Sequence, residues 1–427
     1  MAMMRRLSVF VLALLAVALT GASPSGASIS QPSVVSSNPV NFTPNVEDDA
    51  VVANAAVHAI AQVGDTIFAG GNFRKVTNPS RTVTYTRFNL LAFSASSGAV
   101  HPMAPEFNGT VWALQATGSS VYVGGSFTQV NGVAHRGLVK LDAATGAVDP
   151  TFNPNIRSGN ITEIRLVGGR LIVGGSFPKK LAALNPTTGA DTGYIALGIT
   201  GSVASNTGAT RIYRFAVNPA GTRLVAIGNF TSVAGQPRRQ AFMARLTTTS
   251  ATLSPWHPPA LDLRCSGTKT PVYLRDVDFS PNGDYFVVVG AGRVPLSGDI
   301  GKSICDAAAR FETADETSLA KPTWINYTGG DTLHSTAATG AAVYVQGHQR
   351  WLDNPEGRDN AGPGAVSRPG IGAIDPVTGK ALSWNPTKTR GVGGKDFLAT
   401  GAGLWVGSDG NLFNHEFRAG IAFCPLP

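Results

Sequence analysis

Charge, cysteine and helical periodicity are all scarce in this chain. Asp, Glu, Lys and Arg together make up 14% of its 427 residues. No stretch after residue 27 repeats apolar residues with helical spacing, which excludes a helical bundle or coiled coil as the main fold. The seven histidines are scattered and the three cysteines never occur as Cys-x-x-Cys. With no His-Glu-x-x-His helix either, no metal cluster is legible, and neither a metal nor a cofactor is expected. Also missing are a phosphate loop followed by Lys-Ser or Lys-Thr and a Gly-x-Ser-x-Gly nucleophile elbow. The absence of any recognisable catalytic motif favours binding over catalysis.

What the chain has instead is glycine, 50 of them, and a repeat. Val121 to Phe127, an apolar run broken by Gly124 and Gly125, returns at Ile67 to Phe73, Leu171 to Phe177 and Val225 to Phe230. Weaker copies stand at Val287 to Gly290, Val343 to Gly347 and Leu404 to Ser408. Seven copies spaced by roughly 50 residues indicate a propeller or solenoid. In the second copy, Val111 to Ala116, Ser120 to Gly124, Gly137 to Asp142 and Ala147 to Phe152 read as four strands separated by turns. The expectation is a single all-β domain over residues 28–427: a seven-bladed β-propeller of four-stranded antiparallel blades starting near 55, 110, 160, 211, 272, 331 and 394. Asn41 to Val46 matches Thr151 to Ile156, which closes the second repeat, while the seventh repeat lacks such a segment. An N-terminal strand completing the last blade would close the ring and leave only short edges. Gly124 and Gly125 are expected to end their strand in a tight turn under Phe127.

The pattern of a strand ending Val-Gly-Gly-Ser-Phe-Thr, an Asn-Gly loop, an Arg, an apolar strand ending Leu-Asp, and then Thr-Gly-Ala-Val-Asp-Pro-Thr-Phe-Asn-Pro resembles the delta-sixty type of β-propeller repeat. It is similar to the secreted actinobacterial propellers, of unknown function, that carry it. The match is close over Val111 to Ile156 and departs at Val289-Gly290 and Gln346-Gly347. The resemblance implies a propeller and secretion, and it brings no catalytic residues.

Arg5 and Arg6 precede the uncharged Leu7 to Leu19 and a small-residue zone ending near Ala27, so residues 1–27 read as a secretory signal peptide. The protein is expected to be secreted and extracellular, a monomer with no membrane span after cleavage. Removing the charges of Arg5 and Arg6 from the formal +8 leaves +6. That bias suits an extracellular glycan, an anionic wall polymer or a protein partner, and nucleic acid is not expected. In an oxidising compartment Cys265 and Cys305 are expected to form a disulfide. Cys424, in an apolar strand, reads as a small buried residue.

Aligned on their glycines, the repeats place His58, Trp112, Thr162, Tyr213, Arg275, His334 and Lys395 in one column at the start of the innermost strand. A polar and aromatic ring at a channel mouth is a candidate ligand seat, built of His58, Trp112, Tyr213, Arg275, His334 and Lys395; the competing reading is a wet channel lining. By period two, this column is expected to share a face with the apolar one containing Ile60, Ile164, Phe215 and Val277. The intervening column holds Glu163, Arg214, Asp276 and Asp396. Its three carboxylates carry the alternative function, an extracellular hydrolase or lyase acting on polysaccharide, with ion pairing as the structural explanation. Loops after the Gly-Gly strands hold Arg74, Lys75, Arg81, Arg350 and other cations, so the mouth face is expected to be basic. Among these, Lys179, Lys180 and Arg238 are the surface candidates. Arg87, Arg136, Arg239, Arg368 and Arg418 recur before the third strand and are expected to tie blades together.

Overall fold

The computed structural model describes residues 29–203, 208–267, 273–391 and 393–427, so the expected signal segment, 1–27, lies outside the described residues. Within them the fold is all-β, its helices being two single 3-10 turns, Pro259–Leu261 and Ser297–Asp299. Among the described residues no helix is long and apolar enough to cross a membrane.

Seven antiparallel meanders follow one another along the chain. Their leading strands are Ala56–Val63, Val111–Thr117, Ile161–Val167, Arg211–Val217, Tyr273–Phe279, Leu333–Ala338 and Asp396–Thr400. Each leading strand touches the next, and the seventh touches the first. The second strand of each meander is sandwiched. Val121 and Val123 pack into a cluster shared with the first sheet, and Tyr122 packs into one shared with the third. Burial on both faces is why this stretch is apolar throughout; each such side chain contributes about 1.5 to 3 kcal/mol relative to exposure.

Gly124 and Gly125 do not make a turn. Both lie inside the strand Ser120–Gly125, paired with Ala113 and Val111, and neither has a left-handed φ. They are small because of what lies against them. A Cβ on Gly124 would stand 2.7 Å from Ile161 of the next sheet, and one on Gly125 would stand 2.3 Å from the Thr110 carbonyl oxygen. The first glycine sets the spacing between sheets and the second sets the approach within one. Phe127 is buried edge-on against Phe107, 4.8 Å between ring centres.

Four full strands form only in the fourth and fifth sheets. In the first, second, third and sixth the expected outer strand shrinks to one bridge, as at Leu141 with Val148. In the first two sheets Pro102 and Pro150 stand two residues beyond the bridge and cannot donate to a ladder. One backbone bond is nevertheless kept in every sheet. His101, Asp149, Thr192, Ser254, Thr323 and Leu382 each donate to the third strand of their own sheet, at 2.8 to 2.9 Å. In the seventh sheet the donor is Val40, 2.9 Å from the Phe423 carbonyl, with Ser36 donating to Pro425 at 2.8 Å.

The recurrent arginines act on the same feature. Arg87, Arg238, Arg368 and Arg418 donate to the carbonyls of His101, Ser254, Leu382 and Val40, so they fasten the outer segment to its own sheet rather than one blade to another. Arg238 is thus scaffold, against expectation, because it and not Arg239 occupies the recurring position. Arg239 meets Asp262 at 3.6 Å and Arg136 is exposed. Cys265 and Cys305 form a disulfide, Cα atoms 5.7 Å apart, inside an apolar cluster with Trp256 and Ile304. Cys424 is buried and unpaired.

Candidate functional site

Opposite the glycine near the end of the second strand, six leading strands carry a register shift that leaves one residue extra. Those residues are His58, Trp112, Thr162, Tyr213, Arg275 and His334. Lys395 takes the corresponding place in the seventh sheet, its N–H on the Gly407 carbonyl at 3.0 Å. A bulge frees a side chain from the strict alternation of a strand and re-aims it. All seven residues line one cavity of about 340 Å³, joined by Asn160, Arg211, Arg214 and Gly394. Cavity-lining side chains thus come from all seven sheets, and the site expected from the aligned column is one place.

The bulge also overturns the expected face-sharing. Ile60, Ile164, Phe215 and Val277 pack in the apolar clusters between sheets. The column between, Glu163, Arg214, Asp276 and Asp396, lines the interior instead, around a cavity of about 70 Å³ further along the same strands. An extra residue shifts the parity of everything after it by one.

This inner layer is organised by Arg214. Its Nη1 donates to Glu163 Oε2 at 3.0 Å, and its Nη2 reaches the carbonyls of His58 and Lys395, each at 3.3 Å. Arg165 also pairs with Glu163. Asp276 accepts the Thr336 N–H of the next sheet at 2.9 Å, and Asp396 accepts the Ile60 N–H of the first sheet at 2.8 Å. Burial pushes Asp276 up to about 7 and Asp396 up to about 6, with Arg214 offsetting part of the rise. Burial alone would lower Arg214, but the carboxylates of Glu163, Asp276 and Asp396 outweigh it and hold the guanidinium charged.

The outer layer has the opposite character. Arg211, Arg214, Arg275 and Lys395 line the larger cavity and no carboxylate does. Burial, helped by Lys395 and nearby arginines, pushes His58 and His334 down to about 3, so both rings are neutral at physiological pH. The same desolvation lowers Lys395, whose Nζ lies 3.8 Å from Asp409. Trp112 and His58 rings lie 4.4 Å apart, and the Arg211 guanidinium sits over Tyr213 at 5.2 Å. Asn160 and Arg211 precede the aligned column by two residues and went unseen from sequence, where no bulge signalled that an earlier position also reaches the cavity. Among the described residues no group of His, Cys, Asp and Glu is placed to hold a metal.

Four of the loop cations are paired with carboxylates. Lys75 and Arg81 both meet Glu47, at 2.9 and 3.1 Å, Arg350 meets Asp331 at 2.8 Å, and Lys179 pairs with Asp191.

An all-β chain of successive meanders with side chains converging from every sheet is the organisation of a β-propeller protein. Residues 120–152, within the second repeat, match the family model described as "Domain of unknown function (DUF5122) beta-propeller". No curated protein matches the chain. Among solved structures it is similar to the computationally designed Ika8 protein, at 11% identity over 90% of this chain and 98% of that one, with a TM-score of 0.48.

Proposed function

We propose that residues 28–427 form a secreted seven-bladed propeller of delta-sixty type repeats, like those of secreted actinobacterial proteins. Its ring is closed by the N-terminal segment, and it works as a binding scaffold for an anionic extracellular ligand: a glycan, a wall polymer or an acidic protein segment. Closure is supported by the Val40 to Phe423 bond and by the contact between the seventh and first leading strands. The binding role rests on one observation. The cavity of about 340 Å³ is lined by four cations, two aromatic side chains and two neutral imidazoles, with no carboxylate. That is the size and mixture of a small-molecule site, with its charge set for an anion.

The hydrolase reading fares worse. Asp276 and Asp396 are engaged by backbone N–H groups and Glu163 by two arginines, in a space of about 70 Å³ that is far below what a sugar ring requires. The test is a screen of the folded protein against acidic and neutral glycans, wall polymers and acidic proteins. Selective binding of acidic ligands at micromolar concentration is expected, and binding of none of them overturns the scaffold reading.

A further inference from the structure

Resting on that reading of the cavity, we propose that it takes the terminal ring of an acidic glycan end-on: a six-membered sugar carrying a carboxylate or phosphate, held at the mouth and unable to thread deeper. The floor is the first reason. Arg214 reaches from the fourth sheet to the carbonyls of His58 and Lys395 and to Glu163, and the spaces beyond it are about 70 and about 50 Å³. No chain passes such a crossing without unfolding it.

Charge along the axis is the second reason. An anion meets Arg211, Arg275 and Lys395 first and, one residue further along the strands, Glu163, Asp276 and Asp396. The first layer attracts it, and in the second Arg214 and Arg165 are already paired with Glu163 while both aspartates accept backbone N–H groups, so it is held at the first.

The donors are the third reason. Arg211 Nε is buried without a hydrogen-bond partner among the described residues. A buried donor left without a partner is unfavourable, and an anionic oxygen would satisfy it. Guanidinium forks match the planar or tripodal oxygens of carboxylate and phosphate. Trp112 and Tyr213 supply aromatic faces for the C–H side of a sugar ring, and neutral His58 and His334 supply acceptors for its hydroxyls.

The test is calorimetric titration of the full-length protein with glucuronic acid, glucose 6-phosphate, glucose and inorganic phosphate. Two trisaccharides complete the set, one with its acidic ring at the non-reducing end and one with that ring capped on both sides by neutral sugars. The proposal expects at least tenfold tighter binding of one or both acidic monosaccharides than of glucose or phosphate, the better one naming the anion. It also expects at least tenfold preference for the terminal over the capped acidic ring. Trp112→Ala and Arg275→Gln should each weaken binding about tenfold, Arg275→Gln with the unfolding midpoint unchanged because Arg275 is exposed. Equal binding of the two trisaccharides overturns end-on recognition while the anionic seat stands. Phosphate binding as well as the sugars overturns the sugar. Binding of no acidic probe by the folded protein overturns both this and the reading beneath it.

Discussion

Val40 donates its backbone N–H to the carbonyl of Phe423 across 2.9 Å, joining the two ends of the chain. The bond repeats the one that every other sheet makes within itself, and Arg418 seals it by donating to the Val40 carbonyl at 3.1 Å. Val40→Pro removes the donor without altering side-chain burial greatly. We expect a loss of about 1 to 3 kcal/mol, read as a lower denaturant midpoint. Deleting residues 29–40 should cost more and, by baring the strand Ile421–Pro425, produce concentration-dependent association in size-exclusion chromatography. A deletion variant as stable and monomeric as the parent would mean that the ends are not structurally joined.

Gly124→Ala and Gly125→Ala are predicted to differ. At Gly124 the new methyl meets Ile161 and Ile164 side chains, which can shift, whereas at Gly125 it meets the fixed Thr110 carbonyl at 2.3 Å. Overpacking of the first kind costs about 1 to 3 kcal/mol, and the second should exceed it because a backbone must move. Equal midpoints for the two variants in urea would contradict this account of the motif.

The succession of meanders was legible because the first three repeats are nearly the same sentence written again, an apolar strand, then Gly-Gly, then a buried aromatic, and the later ones keep the apolar strand and one of its glycines. The aligned column His58, Trp112, Tyr213, Arg275, His334 and Lys395 was legible for the same reason, since position in a repeat maps to position in space. The bulge was not. Register is a relation between two strands, and nothing within Val111 to Thr117 announces that Trp112 is the extra residue. Hence strict alternation puts residues after the bulge on the wrong face, while the contacts that keep Gly124 and Gly125 small come from Ile161 and the Thr110 carbonyl, and the recurring arginine of the fourth sheet is Arg238 where the sequence pattern points to Arg239. Arg214 as the crossing point was equally hidden, because its partners lie in the third, first and seventh sheets.

Acid and base should act on the inner layer in a defined direction. Asp276 and Asp396 hold protons up to about 7 and about 6 when folded, and an unfolded Asp releases its proton near about 3.9. The folded state therefore binds more protons between those values, and the contribution of these groups to stability falls as pH rises from about 4 to about 7. Asp276→Asn and Asp396→Asn keep an acceptor for the Thr336 and Ile60 N–H groups and should flatten that fall. Relative to the parent they should gain on the order of 1 to 3 kcal/mol at pH 8 over pH 4. An unchanged pH slope of the urea midpoint in both variants would refute the assignment.

Cysteine chemistry should separate the two kinds of site. Burial pushes the Cys424 thiol well above its ordinary range, so a thiol reagent should label none of the native protein and one group per chain once it is unfolded without reductant. Cys265→Ser with Cys305→Ser opens a loop of 40 residues and should destabilise by about 3 to 4 kcal/mol. Labelling of the native protein, or a midpoint indifferent to the disulfide, would contradict this.

Anion recognition is proposed where the seven sheets converge and not on the basic surface at large. The most direct measurement is the equilibrium affinity of the parent and the double variant Arg275→Gln with Lys395→Gln for one acidic oligosaccharide and its neutral counterpart at fixed ionic strength. The acidic ligand should bind the parent and be weakened at least tenfold in the double variant, while the neutral one should bind neither. Equal affinity of the acidic ligand for both proteins would contradict it.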